Sequence, residues 1–364
     1  MNRLARLQAV MARNDVDVFI AGPSADLAYL IGYHALPLER LTLLVIPVTG
    51  DATLVVPKLE ESRARESGAH QFADVVTWNE TDDPGELAAH VIGRAASHVA
   101  VQDRLWSSFT LDLQQRLQLA QWQPGSPLTA TLRQIKDADE IAALRQVARA
   151  IDAVHQQVAA LLVPGRREAE VGRDIGDLIL QTHDTINFVI VASGPNGASP
   201  HHETGDRVLQ PNDQVVVDIG GTLEGYCSDV TRNYVIGDLD DEYQLVHDVV
   251  AAAQRAAIDA IASGVAAQDV DAAARRVIDD AGFGGAFIHR TGHGIGMEEH
   301  EAPWIVAGNT NELQTGMTFS IEPGIYLDGR FGVRIEDIVV CTDVGVDVLN
   351  ELPAGPVMCG GTAA

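Results

Sequence analysis

Apolar residues recur along this chain in two rhythms. Over the first third they come as short runs, residues 16–21, 41–47, 53–56 and 99–101, separated by polar or turn-forming stretches. Each run reads as a strand, and the second and third pair as a hairpin across Thr49-Gly50-Asp51. Residues 105–119 read as a helix. Pro124, Gly125 and Pro127 punctuate residues 121–128, which read as a linker and set a boundary near residue 130. Beyond it the period turns helical. Ile141, Leu144, Val147, Ile151, Val154, Val158 and Leu161 share one face, and Pro164-Gly165 ends the helix. A second helix follows around Val171, Ile175 and Ile179. Strands at 187–192, 215–221 and 225–236, helices near 242–263 and 268–281, and strands at 317–326 and 332–341 complete the pattern. The expected organisation is a smaller α/β domain over 1–128 and an α+β domain with a mostly antiparallel sheet over 129–364. No short-period repeat is present.

Composition narrows the classes of function. Hydrophobic residues at 46% and charged residues at 21% describe a folded globular chain. No apolar run is long enough to span a membrane, and the first residues lack the apolar core of a secretory signal. A net charge of -26 repels phosphate backbones, which argues against nucleic-acid binding. Cys227, Cys341 and Cys359 are odd in number and widely spaced, so they form neither a disulfide framework nor a Cys-based zinc site. A reducing cytoplasm is the expected location.

Within the acidic excess, some acids stand in unusual places. Asp218 lies between Val215-Val216-Val217 and Ile219-Gly220-Gly221, Glu322 within Phe319-Ser320-Ile321-Glu322-Pro323, and Glu336 within Val333-Arg334-Ile335-Glu336-Asp337-Ile338. A carboxylate inside an apolar strand is protonated, salt-bridged, hydrogen-bonded or metal-bound, because an unpaired buried charge is very costly. Arg334 falls on the strand face of Glu336 and offers it an ion pair. With Asp229 and His293, these acids form an oxygen-rich donor set suited to Mn²⁺, Co²⁺ or Fe²⁺, with Zn²⁺ also possible. His293 sits in Gly292-His293-Gly294-Ile295-Gly296, where small residues let backbone crowd around the imidazole.

The stretches VVVDIGG, YCSDVTR, HRTGHGIGMEEHEAP, TFSIEPGIY and FGVRIEDIVV, in that order, resemble the pita-bread metallopeptidases: methionine aminopeptidase, aminopeptidase P and prolidase. The resemblance implies a pita-bread catalytic domain in which Asp218, Asp229, His293, Glu322 and Glu336 hold two divalent ions. Asp229 and Glu336 would bridge both ions, Asp218 would complete one shell, and His293 and Glu322 the other. Four carboxylates at about -4 balance two ions at about +4. His201, His289, His300 and Arg334 match family positions assigned to catalysis or substrate binding. The match gives no clear role to His202, and Cys227 reads as a small core residue.

About 130 residues precede the catalytic stretch, which resembles prolidase, aminopeptidase P and creatinase rather than methionine aminopeptidase. Creatinase lacks the ligand set found here. The implied activity is hydrolysis of Xaa-Pro bonds, as a dipeptidase or an aminopeptidase, with a proline-containing peptide as substrate, Mn²⁺ as the favoured metal and a homodimer as the assembly. The competing reading is a metal-free, peptide-binding relative, which would have lost at least one ligand.

Overall fold

The computed structural model describes residues 2–359. The chain divides into two compact units, residues 1–133 and 134–364. No helix among the described residues is long and apolar enough to cross a membrane.

The first unit is built on a six-stranded mixed sheet. The expected strands appear as Val18–Ala21, Leu43–Pro47, Ala52–Pro57 and His98–Val101, and the expected hairpin pairs Leu44 with Leu54. Two strands were not anticipated. Ala73–Trp78 runs parallel to Ala52–Pro57, and Gln121–Pro124 runs parallel to His98–Val101. The supposed linker is therefore an edge strand that passes directly into the helix Ser126–Arg133. An edge strand tolerates proline at its end. Gly125 marks a close approach rather than flexibility: a Cβ there would lie 2.7 Å from Phe19 and 2.9 Å from the Val101 carbonyl carbon.

The second unit packs two pairs of helices against antiparallel strands. The helix Ala138–Val158 begins in a capping box, Asp137 accepting from the Glu140 N–H while the Glu140 side chain accepts from the Asp137 N–H. With Glu168–Ile179 it covers one face of Gln214–Leu223. Along that strand Val215, Val217 and Ile219 enter the core with Ile151, Val154, Val171 and Ile175. Side chains alternate, so Asp218 lies on the opposite face. The helices Asp241–Asp259 and Ala267–Asp280 pack on the two remaining sheets, burying Phe319, Ile321 and Val339 of the five-stranded one and Val333 of the two-stranded one.

Three expected strands are broken, each at an acid. Residues 225–236 form Tyr226–Cys227 and Val230–Ile236, with Ser228-Asp229 between them. Residues 317–326 form Thr318–Ile321 and Gly324–Leu327, interrupted at Glu322-Pro323. Residues 332–341 form Phe331–Arg334 and Asp337–Thr342, interrupted at Ile335-Glu336. At the Glu322 and Glu336 breaks the chain passes from one sheet to another, whereas at Ser228-Asp229 it stays beside Gln214–Leu223 and only the regular ladder lapses. The N–H groups of Glu322 and Glu336 donate to the carbonyls of Thr291 and Thr231, and that of Ser228 to Gly221. A crossing chain turns its side chain out of the pleat, and here the carboxylates turn toward one place.

Candidate metal centre

Asp218, Asp229, His293, Glu322 and Glu336 line one cavity of about 520 Å³, together with His201, His289, His300 and Arg334. Asp218 comes from an unbroken strand; Asp229, Glu322 and Glu336 come from the breaks. His293 sits in the three-residue strand Gly292–Gly294, where the register shifts. A Cβ on Gly292 would collide with the Ser320 carbonyl oxygen, and one on Gly294 with that of Ala302. Glycine lets two strands close on the imidazole from both sides.

The side chains converge tightly. The sets Asp218, Asp229 and Glu336; His293, Glu322 and Glu336; and Asp229, His293 and His300 each offer donor atoms within 4.8 Å of one another. His293 Nε2 lies 3.2 Å from Glu322 Oε1 and 3.7 Å from Asp229 Oδ2. Ser320 Oγ accepts from the His293 N–H and donates to Glu322, tying two candidate ligands through one hydroxyl.

Arg334 does not pair with Glu336 as its place in the sequence suggested, because the strand breaks between them. Its Nη2 donates to Asp218 Oδ2 at 2.5 Å and its Nε to Thr231 Oγ1 at 3.0 Å. The Thr231 hydroxyl in turn donates to Glu336 Oε2 at 2.8 Å. Arg334 Nη1 reaches the Tyr326 hydroxyl at 2.9 Å. Tyr326 and Thr231 were missed from the sequence, where each passes for an ordinary strand residue.

Burial and mutual repulsion raise the pKa values of Asp229 and Glu336 well above the ordinary carboxylate range. Burial also raises Asp218, against the pull of Arg334. Glu322 goes the other way. Burial opposes its ionisation, but the hydrogen bond and charge of His293 bring it to about 2. The pocket by itself does not sustain four ionised acids. Asp218 Oδ1, Asp229 Oδ1 and Glu336 Oε1 are buried and accept no hydrogen bond from the described residues. Buried oxygens of this kind are nearly always satisfied, so three in one pocket fit a cation partner. The donor set matches hard divalent ions.

The imidazoles differ from one another. His300 lies against His293 with ring centroids 3.9 Å apart and the rings tilted by 52°, and burial, with His293 and Arg290 nearby, lowers its pKa to about 4. It is therefore neutral near pH 7. His289 uses both ring nitrogens. Nδ1 faces the Arg290 carbonyl at 2.7 Å and so carries the proton, while Nε2 accepts from Tyr326 at 2.7 Å. Burial lowers its pKa as well. This engagement suits His289 to holding the pocket in shape. His202 turns away from the cavity to Glu168. Cys227 is buried in a small core cluster with Leu144 and Ile338, and burial raises its thiol to about 11, so it stays protonated.

A carboxylate-rich cation centre at the floor of a cleft, flanked by imidazoles, marks a metal-dependent hydrolase. The chain belongs to metallopeptidase family M24, whose model matches residues 142–343, and residues 3–135 match the Creatinase/Prolidase N-terminal domain. It is 46% identical over 361 residues to the probable dipeptidase PepE of Mycobacterium tuberculosis, covering 96% of this chain and 95% of that one. Dipeptidase PepE from Mycobacterium ulcerans superposes with a TM-score of 0.93 at 46% identity, covering 98% of this chain and 96% of the other. A prolidase from Thermococcus sibiricus superposes with a TM-score of 0.92 at 36% identity, covering 98% of each chain.

Proposed function

We propose that the chain hydrolyses Xaa-Pro dipeptides with two divalent ions held by Asp218, Asp229, His293, Glu322 and Glu336. Asp229 and Glu336 would bridge the two ions in this reading, and Mn²⁺ is the favoured metal. The observation that carries it is the convergence of buried carboxylate oxygens without protein partners on one imidazole-lined cavity. The names of the relatives, dipeptidase and prolidase, favour a dipeptide substrate over a longer one. A metal-free binding module would leave those oxygens unpaired at a cost of roughly 1–3 kcal/mol each.

An Xaa-Pro bond has no N–H for a peptidase to grip, and its ring restricts the chain. Recognition falls instead on the carbonyl and on the shape of the pocket. Bound divalent ions supply Lewis-acid activation, lowering the pKa of water and polarising the carbonyl. The chain's own groups do the rest. Arg334, hydrogen-bonded to Asp218 and through Thr231 to Glu336, holds two acids in register. His201 donates to the oxygen on which charge develops. His300, neutral near pH 7, offers a ring nitrogen to the reacting groups as a hydrogen-bond partner. The protein works in the cytoplasm as a homodimer in this proposal.

Hydrolysis of Ala-Pro and of Ala-Pro-Pro, each with Mn²⁺, Co²⁺ or Zn²⁺ added, tests the reading. Metal-dependent cleavage of the dipeptide is expected. Release of the first residue from the tripeptide alone would make the chain an Xaa-Pro aminopeptidase, and cleavage of neither would overturn the proposal.

A further inference from the structure

We infer that Glu168 and His202 form a buried clamp that positions His201 against the substrate; the inference rests on the catalytic role proposed for His201. Glu168 opens a helix, a place where acids ordinarily face water, yet it is 0% exposed. Its carboxylate is saturated by donors from a single segment. Oε1 accepts from the Ser193 N–H at 2.8 Å and the Ser193 hydroxyl at 2.6 Å, the Asn196 amide reaches both oxygens at 3.1 Å, and His202 Nε2 lies 2.8 Å from Oε2. All these donors come from residues 193–202, the stretch that carries His201 to the cavity.

The bond to His202 has a defined direction. Burial opposes ionisation of Glu168, but hydrogen bonds from Ser193, His202 and Asn196 outweigh it and its pKa is lowered. An ionised carboxylate only accepts, so His202 Nε2 carries a proton and donates. Charge-assisted bonds of this kind are short and strongly oriented. On the other side of His201, the Pro200 carbonyl accepts from Arg334 Nη1 at 3.3 Å. His201 is thus fixed one residue before and one residue after, by groups that belong respectively to the metal-side network and to the helix behind the loop. Its own ring has no hydrogen bond among the described residues, so these flanking anchors set its place in the cleft.

A misplacement of about 1 Å at a reacting centre can cost on the order of a hundredfold in rate. Glu168→Ala removes the anchor of a whole loop and risks the fold, so the half-buried His202 carries the test. In His202→Ala, kcat for Ala-Pro is expected to fall between about tenfold and about a hundredfold, with KM within about twofold of wild type. His202→Gln keeps a donor for Oε2 and is expected to recover most of the loss. Amide exchange over residues 194–202 is expected to rise in the alanine variant and not in the glutamine variant. In a His201→Ala background, His202→Ala is expected to cost nothing further, because the clamp acts through the ring already removed. An undiminished kcat in His202→Ala, a glutamine variant no better than alanine, or additive losses would each overturn the clamp. If His201→Ala cleaves at the wild-type rate, the role of His201 fails and the clamp with it. If His201→Ala is crippled while His202→Ala is normal, the clamp alone fails.

Discussion

The two units treat buried charge in opposite ways. Among the described residues of the first, the buried charged side chains are one pair, Asp26 and Arg133, joined at 2.9 Å. The second buries Glu140, Asp152, Glu168, Asp213, Asp218, Asp229, Asp271, Glu301, Glu336 and Asp337, against Lys136, Arg232 and Arg334. Most of these acids are answered locally: Asp152 by Asn350 and the Glu351 N–H, Asp271 by Thr291 and Arg275, Glu301 by Lys136, Asp337 by Arg232 and Gln254. The three with orphaned oxygens, Asp218, Asp229 and Glu336, lie together in the cleft. Buried acidity alone does not mark a site, since the second unit is full of structural acids. Unanswered acidity does.

The strongest way to break this comparison is to remove one unanswered acid. Asp229→Ala is expected to lower turnover by at least about a thousandfold and to abolish binding of the second ion, read by metal analysis of the purified variant. Asp271→Asn, which alters an answered acid, is expected to lower stability while leaving the metal stoichiometry intact. Equal metal loss in both would erase the distinction between the two kinds of acid.

Acid should separate the units next. His155 is fully buried against Tyr234 and the Val230 carbonyl, and burial lowers its pKa to about 3. The unfolded state therefore takes up a proton near pH 6.5 that the folded state refuses. The stability this contributes is present above about 6.5 and is lost as pH falls toward about 3, up to roughly 4–5 kcal/mol. Amide exchange in Ala138–Val158 and Val230–Ile236 is expected to accelerate over that window, and His155→Phe to flatten the dependence. Chelation ranks below this. Excess chelator is expected to cost the second unit on the order of 3 kcal/mol, the value for a ligand at about a hundred times its Kd. Exchange around residues 215–236 and 318–340 should rise, and an unchanged melting curve would count against a preformed ion centre.

How much of this could be read from the sequence also differs between the units. In the second, the helical period placed the four long helices within a few residues, and the apolar runs located the longer strands but not the short ones at Gly292–Gly294, Glu301–Ile305, Gly345–Val348 and Val357–Cys359. The runs did not show that three of those longer strands break, because alternation of apolar residues continues across each acid. Pro323 was the one sign, since a proline has no N–H to give to a strand ladder. The acids were legible because carboxylates are expensive in apolar surroundings. Thr231, Ser320 and Tyr326, which hold them, were not, because a hydroxyl in a strand is an ordinary residue until its partners are known. Glu168 escaped notice for a similar reason: at a helix start an acid looks like a dipole partner. In the first unit the Pro- and Gly-rich stretch 121–128 suggested a linker, whereas its neighbours in space make it a strand and a helix.

The smallest effect concerns a feature the two units share. Asp83 and Asp137 are N-caps of the same kind, accepting at 3.0 Å from the N–H groups of Glu86 and Glu140. Each is expected to stabilise its own helix, since the cap satisfies an N–H that the helix itself leaves unpaired. Asp83→Ala should raise amide exchange over residues 84–92, and Asp137→Ala over residues 138–158. Neither should change the metal content, because a cap answers backbone N–H groups rather than an ion. The helices differ in one respect. Asp137 also takes part in a capping box: alanine at 137 keeps the N–H from which Glu140 accepts but loses the reciprocal bond that holds the box together, while Asp83 has no such return bond. The cost at 137 should therefore exceed the cost at 83. Equal costs would mean that the Glu140 carboxylate, which also accepts from the Tyr226 hydroxyl at 3.0 Å, is held by that bond and contributes nothing through the box.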